Sequence, residues 1–600
     1  MSFLFITILK YAVFSVSIGI IMNIKISKTD ECTVDIGERF DGDIEYYDIS
    51  IKYNEKTVPR PISFSFERDE KNVFSVFSSD ARTKRHPRPS WEANTNKSRL
   101  AFNMPLLAAI KRDGMNAFTL SLSDAKVPAE LKLGISEHNG FASVTLKLFP
   151  QPITATESFN VTLRIDKSNL RYEKAIGDVI RWWETECGYT PAYVPEHATL
   201  PMNSAWYSYH QNIDVDDIVD ECKRSKALGM ETIILDDGWQ TDDVSLGYAY
   251  CGDWNVATKK IPSMKDFVDR VHAVGMKFML WFSVPYVGIN SNAFTRFRDM
   301  LLDYSEDKKW FCLDPRFPEV RKYLVNTYKN AITEYGLDGL KLDFIDSFKL
   351  TSTSIAPDDR RDTESLEDAL EILLSEIYSA LTDINPDVLI EFRQSYVGPT
   401  VRKYGNMLRV FDCPEDALCN RYSIADLRLT SGKTAVHSDM LLWRSNIDAE
   451  DAATALVSVL YGVAQISVKL KNLPESHLKM LAFYLDFMKK NRDVLLFGDF
   501  TAENPETLYS KASASKNGET ITTLYTATVD NIPADFVKYT VVNGTTSENI
   551  ILDCERNIEC EIVNCLGDTV AKTTLQSGIS KINIPKNGMA ICLLKKQFIG

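Results

Sequence analysis

Histidine is scarce, seven residues in a chain of 600, which leaves little material for a cluster of metal ligands. Cysteine occurs 11 times between Cys32 and Cys592, but never in CxxC pairs or in the CxxC…HxxxH spacing of a zinc site. A chain this long needs no disulfide framework, and an odd count leaves at least one thiol unpaired, so reduced thiols in a cytosolic protein are expected. Basic charge is outnumbered, 68 Lys and Arg against 82 Asp and Glu, for a net charge of −14. An acidic surface repels phosphate backbones and anionic headgroups, which argues against nucleic acid and membrane as partners. No Gly-rich phosphate turn follows an early strand, and the chain has neither repeats nor low-complexity tracts. Beyond the first 22 residues no segment approaches the roughly 18 uninterrupted apolar positions of a membrane span.

What remains is an ordinary globular composition, 44% hydrophobic, 25% charged and 11% aromatic. At about 150 residues per domain, length alone suggests roughly four units. Residues 1–21 are apolar except for Lys10. A charge inside the run and the lack of a small-residue cleavage pattern fit a non-native start before Met22, or a degenerate signal, better than a spanning anchor. A cytoplasmic location is therefore expected, or a secreted one if the segment is a signal.

Over 22–172, short alternating runs such as DIEYYDISIKY, RPISFSFERD and SFNVTLRID are cut by turns, the pattern of an antiparallel β-sandwich. Residues 173–197 read as a linker helix that breaks at Gly188-Tyr-Thr-Pro191. From 198 to 496 the texture changes to strand-like runs alternating with amphipathic stretches. The runs are Met202–Trp206, Thr232–Leu235, Lys277–Phe282, Gly339–Phe344, Val388–Phe392, Met407–Phe411, Ala435–Leu442 and Ala464–Val468. Ser263 and Pro318 mark helix starts, and Gly229, Gly275 and Gly336 mark stops. Eight such alternations predict an α/β chain built on a central parallel (β/α)8 barrel, with a doubly wound sheet as the runner-up. Alternation returns over 497–600, a smaller C-terminal β-sandwich. The expectation is thus three domains rather than four.

In such a barrel the active site lies where strands end. Here the strand ends carry Asp236-Asp237-Gly238-Trp239, Trp281, Lys341-Leu342-Asp343 with Asp346 beyond, Glu391-Phe392-Arg393, Arg409-Val-Phe-Asp412, and His437-Ser-Asp439. An isolated Asp after a strand is commonly a helix N-cap, and Asp314 and Asp383 read that way. Charges converging where apolar strands enter a core are costly unless paired or functional, so capping explains the whole set poorly. Two carboxylates, further hydrogen-bonding carboxylates, a Lys and Trp faces, with no metal or cofactor, suit glycoside hydrolysis. Lys341, two residues before Asp343 on one strand, shares its face and is placed to hold that carboxylate ionised. Asp236 and Asp237 can grip vicinal hydroxyls, and Trp239, Trp254 and Trp281 can cover the C–H side of a pyranose, with core packing the alternative for each Trp.

The string Asp-Asp-Gly-Trp, Gly-Asp-Trp, Gly-Met-Lys-Phe-Met-Leu-Trp-Phe, Leu-Asp-Pro and Lys-Leu-Asp resembles the melibiase-type α-galactosidases of glycoside hydrolase clan D, family 36, over roughly residues 200–500. The resemblance implies hydrolysis of terminal α-galactosyl residues from oligosaccharides by retaining double displacement. It makes Asp343 the nucleophile, with Asp346 an internal competitor. It makes Asp412 the acid/base, in preference to Asp416. It makes Asp236, Asp237, Lys341 and Arg393 sugar contacts, and it implies self-association. Leu342 replaces the usual Trp, Phe392–Tyr396 replaces a Cys/Gly-rich loop, and Phe411 replaces a Ser. These departures keep open an α-N-acetylgalactosaminidase, a galactosyl-transferring relative and, in another class, a non-catalytic carbohydrate-binding protein.

Overall fold

The computed structural model describes residues 23–27, 31–93, 95–351 and 354–594. The apolar stretch 1–21 lies outside the described residues. No helix among the described residues is long and apolar enough to cross a membrane. None of the eleven cysteines is in a disulfide.

Two antiparallel sheets of five and six strands form the N-terminal sandwich. Its strands alternate as their sequences require: in Ile62–Arg68 the inward residues Ile62, Phe64 and Phe66 are buried while Ser63 and Ser65 are not. Tyr47, Ile49, Ile51, Phe64, Phe118, Leu131, Val144 and Leu163 meet between the sheets, each worth about 1.5–3 kcal/mol on burial. A helix, α1 (Tyr172–Thr185), follows. Its stripe of Tyr172, Ile176, Val179 and Trp183 joins the large apolar core shared with the barrel, and the Trp183 indole N–H donates to the Leu122 carbonyl at 2.7 Å.

The barrel strands are β1 (Met202–Ser204), β2 (Thr232–Leu235), β3 (Lys277–Ser283), β4 (Gly339–Asp343), β5 (Leu389–Arg393), β6 (Met407–Arg409), β7 (Ala435–Leu441) and β8 (Val463–Ile466). All eight neighbour contacts are parallel, and β1 pairs with β8 to close the barrel. Helix chemistry follows the sequence. Ser263 caps Met264–Val274 through the Asp266 N–H, and Gly275 ends that helix in the left-handed region. Pro318 occupies the first turn of Pro318–Tyr335, which Gly336 closes. Sheets of seven and three strands form the C-terminal β-domain.

The strand interior faces explain where the site must be. At the N-terminal end of the barrel, Met202, Ile234, Met279, Leu389, Met407 and Ala435 form a separate apolar cluster. Gly339 belongs to the same layer; a Cβ there would lie 2.3 Å from the Leu389 carbonyl oxygen. Two residues further along, on the same face, stand Ser204 of β1, Asp236 just past β2, and Trp281, Lys341, Glu391, Arg409 and His437. The opposite face, with Leu340, Leu342, Ile390, Phe392, Leu408 and Val436, packs on the helices. An apolar floor thus seals one end of the barrel and charge fills the other.

Several sequence expectations need correction. The first run was expected to reach Trp206, but Trp206–Tyr209 is a helical turn. The fourth stops at Asp343 because Phe344 turns left-handed at φ +65°. The sixth stops at Arg409. Asp314 is no cap: it is fully buried and pairs with Arg316 at 2.7 Å and Arg361 at 3.2 Å. Asp383 lies at the C-terminal end of Leu366–Thr382, not at a helix start.

Candidate active site

The turn after β2 is built on Gly238, at φ +111°, where a Cβ would approach the Gln211 backbone to 2.7 Å. That close approach lets the Gln211 side-chain amide donate to Asp237 Oδ2 at 2.7 Å, and Gln240 donates to Oδ1 at 2.6 Å. Burial, assisted by the charge on Asp236, pushes the Asp237 carboxyl up to about 6, despite both amides. Asp236 is held differently: Lys341 Nζ donates to its Oδ2 at 2.6 Å. The Lys341 ammonium thus reaches from β4 across β3 to the Asp236 turn, and its charge still helps to hold Asp343 ionised, as its place on the strand predicts.

Asp343 has other direct partners. Its Oδ1 accepts from the Arg393 Nε at 2.6 Å, the Phe344 N–H at 2.8 Å and the Tyr396 hydroxyl at 3.1 Å. Its Oδ2 accepts from the Trp281 indole at 3.0 Å. Burial would raise this carboxyl, but Arg393 foremost, then Lys341, hold it well below the usual carboxylate range. The two cations therefore favour the ionised form of Asp343. Trp281 touches it by an N–H rather than only by a ring face. Trp239 is fully buried, donates to the Trp281 carbonyl at 2.8 Å and stacks on Trp254. It supports Trp281 from behind and has no free face for a sugar, so its expected role as a sugar platform is corrected. Asp253 of the Gly-Asp-Trp string is also structural, accepting the Asn292 and Ala293 N–H groups at 2.8 Å each.

Arg409 links the remaining carboxylates. Its guanidinium lies 2.5 Å from Asp439 Oδ1, 2.9 Å from Asp412 Oδ1 and 3.7 Å from Glu391 Oε1. Asp439 Oδ2 also accepts the Cys413 N–H at 2.7 Å and the Tyr207 hydroxyl at 3.0 Å, which ties the loop bearing Asp412 to β7. Asp412 itself is 61% exposed at the rim. Desolvation by the surrounding strand ends works to raise it, yet Arg409, Lys341 and Arg393 hold it below its ordinary value. Asp416 caps Ala417–Thr430 through the Cys419 N–H at 2.8 Å. Asp346 lies in a short turn beyond the strand, Ile345–Ser347, so its position follows from the left-handed Phe344 rather than from strand alternation. His437 bonds the Ala198 carbonyl, and burial lowers its pKa to about 4, leaving it neutral.

The N-terminal sandwich braces this rim. Arg99 donates to the carbonyls of Asp346 and Phe348 at 2.6 Å each, and the Asn103 N–H bonds the Ser395 carbonyl at 2.7 Å. No motif in the sequence marks Arg99, Gln211, Tyr207 or Tyr396 as site residues, because each reaches the site from a loop or another domain. Arg409, Glu391 and Asp439 were legible as buried charge, though not as one network.

The raised Asp237 carboxyl has a measurable consequence. Folding favours its protonated form, so its cost is absent below about pH 4 and complete above about pH 6, where it is on the order of 3 kcal/mol. Asp237→Asn should therefore gain stability over the wild type progressively between those pH values. Thermal unfolding from pH 4 to 7 measures this, and a difference that does not change with pH would contradict it.

Similarity to known proteins is concentrated on this barrel. Residues 192–412 match the melibiase family model, the stretch from β1 through Asp412. An α-galactosidase from Escherichia coli is 28% identical over 159 residues, 25% of this chain and 22% of that protein. Alpha-galactosidase Mel36A from Lactobacillus acidophilus is 31% identical over 150 residues, 23% of this chain and 19% of that protein. The chain thus aligns with less than a quarter of the length of these curated relatives. Solved structures extend the likeness to the whole fold. A variant of the GH36 α-galactosidase AgaA from Geobacillus stearothermophilus, in complex with raffinose, superposes with a TM-score of 0.65 over 95% of this chain and 81% of that one, at 14% identity. The α-galactosidase from Lactobacillus brevis superposes with a TM-score of 0.63 over 97% and 87%, also at 14% identity. Over residues 192–412, which hold the first six strands of its barrel, the chain is similar to the melibiase family.

Proposed function

We propose that the protein is a retaining α-galactosidase that removes terminal α-galactosyl residues from oligosaccharides. The observation that carries this reading is Asp343, a buried carboxylate kept ionised by Arg393 and Lys341 at the mouth of a melibiase barrel. An anionic carboxylate that keeps one oxygen lightly engaged is what attack on an anomeric carbon needs. Asp412 is the acid/base. It is exposed at the rim, whereas the Asp416 carboxylate is committed to capping a helix. Asp412 must carry a proton when the glycosidic oxygen leaves, which requires its contact with Arg409 to loosen. Arg409 already faces Asp439 and Glu391, so the guanidinium stays paired when it does. Asp236 and Asp237, next to Trp281, form the hydroxyl-gripping side of the pocket.

The oligosaccharide substrate is inferred from relatives: AgaA variants have been solved with raffinose and with stachyose. A panel of 4-nitrophenyl α-glycosides tests the activity. Turnover of the α-galactoside above the α-N-acetylgalactosaminide and the α-glucoside is expected, and binding of galactose with no turnover would overturn it. Asp412→Ala should cost on the order of 100-fold or more on raffinose, whose leaving group needs a proton. It should cost about tenfold or less on an activated aryl galactoside. Equal losses on both substrates would remove Asp412 from the acid role.

A further inference from the structure

The two oxygens of Asp343 are not equivalent. Oδ1 carries two N–H donors, Arg393 Nε and the Phe344 N–H, and shares the single Tyr396 hydroxyl proton with the Leu342 carbonyl, whereas among the described residues Oδ2 carries only the Trp281 indole. A carboxylate oxygen has two lone pairs directed for acceptance, so Oδ1 is saturated and Oδ2 retains one for attack. Arg393 is well placed to hold this asymmetry. It is mostly buried and paired with Asp343, its Nη1 donates to the Gln394 carbonyl at 2.8 Å, and its guanidinium carbon lies 5.2 Å from the Phe344 ring centre and 5.6 Å from that of Tyr396. A planar guanidinium held at three points loses little freedom and keeps one N–H aimed at Oδ1.

We propose that Arg393 is a catalytic residue of the second half-reaction: it stabilises Asp343 as the group that departs from the glycosyl-enzyme. This rests on the double displacement proposed above. In the first half, an electron pair of Oδ2 forms the bond to the anomeric carbon. The bond from that carbon to the leaving oxygen breaks with its pair, and that oxygen takes the proton of Asp412. Asp343 passes from an anion to a neutral ester, and its ion pair with Arg393 is lost. In the second half, a water oxygen bonds the anomeric carbon and gives a proton to Asp412, while the pair of the ester C–O bond returns to Asp343. A cation on Oδ1 opposes the first change and assists the second, because it binds the free carboxylate more strongly than the ester. Arg393 therefore slows attack and speeds discharge, so that the covalent intermediate does not accumulate in the wild type.

The experiment isolates the second half. The enzyme is labelled with 2-deoxy-2-fluoro-α-galactosyl fluoride, and recovery of the unlabelled mass is followed by intact-protein mass spectrometry. Arg393→Met should recover about 10–100-fold more slowly than wild type, and Arg393→Lys should restore part of the rate. With 4-nitrophenyl α-galactoside, Arg393→Met should also show a pre-steady-state burst of about one equivalent that the wild type lacks. Unchanged recovery, or an equal fall in labelling and recovery, overturns the assignment, the latter pointing to a merely structural role. A rise in KM with kcat unchanged would return Arg393 to the role of a sugar contact. A wild type that neither labels nor turns over galactosides overturns the proposed activity itself, which separates the two failures.

Discussion

Replacing Asp343 by Asn is expected to abolish turnover of aryl α-galactosides, with a loss of at least about ten-thousandfold in kcat, some 5.5 kcal/mol of barrier. Asn has the same shape, but its single oxygen accepts from either Arg393 or Trp281 and its NH2 must face the other donor. It cannot supply the anionic electron pair that forms the covalent bond, and no activated leaving group compensates for a missing nucleophile. The change also removes the anion between Arg393 and Lys341, so the variant should unfold at a lower temperature than the wild type at neutral pH. Asp346→Asn is the control, because Asp346 sits in the turn beyond the strand. Full activity in Asp343→Asn, or a loss confined to Asp346→Asn, would move the nucleophile or discard it.

Replacing Arg409 by Met should produce the largest loss of stability, about 3–5 kcal/mol, because it leaves buried carboxylates without their cation. Asp439 and Glu391 are fully buried, and burial already raises both from their ordinary values with Arg409 present. Without it their folded pKa values rise further. A carboxyl whose folded pKa exceeds its unfolded value contributes stability at low pH and loses it as pH rises through the folded value. The deficit of Arg409→Met should therefore be largest near pH 7 and shrink toward pH 4. Denaturant unfolding at the two pH values measures it, and an equal deficit at both would show that lost packing, not unpaired charge, is the cause. A double change with Asp439→Asn should recover part of the loss.

The sandwich domains were legible because a strand with one buried face must alternate, and RPISFSFERD does so residue by residue. The barrel was legible because eight apolar runs alternate with capped amphipathic helices, and Ser263, Gly275, Pro318 and Gly336 mark helix ends by local chemistry alone. The ends of the strands were less legible. A left-handed Phe344 and a strand that stops at Arg409 depend on loops packed from elsewhere, including the Arg99 side chain of the N-terminal sandwich.

The sequence by itself determined that charge collects at one end of a parallel barrel, since a period-two strand fixes which residues share a face. It also determined which carboxylates are available there. Only the tertiary structure decided how those charges pair. Lys341 serves Asp236, Arg393 serves Asp343, and Arg409 spans Asp412, Asp439 and Glu391. The physical reason is that a long cationic side chain reaches several angstroms, so its partner is set by barrel curvature and neighbouring strands rather than by its distance along the chain. Trp239 shows the same division: its place in the Asp-Asp-Gly-Trp string is local, but packing against Trp254 and Trp281 made it a support instead of a sugar platform.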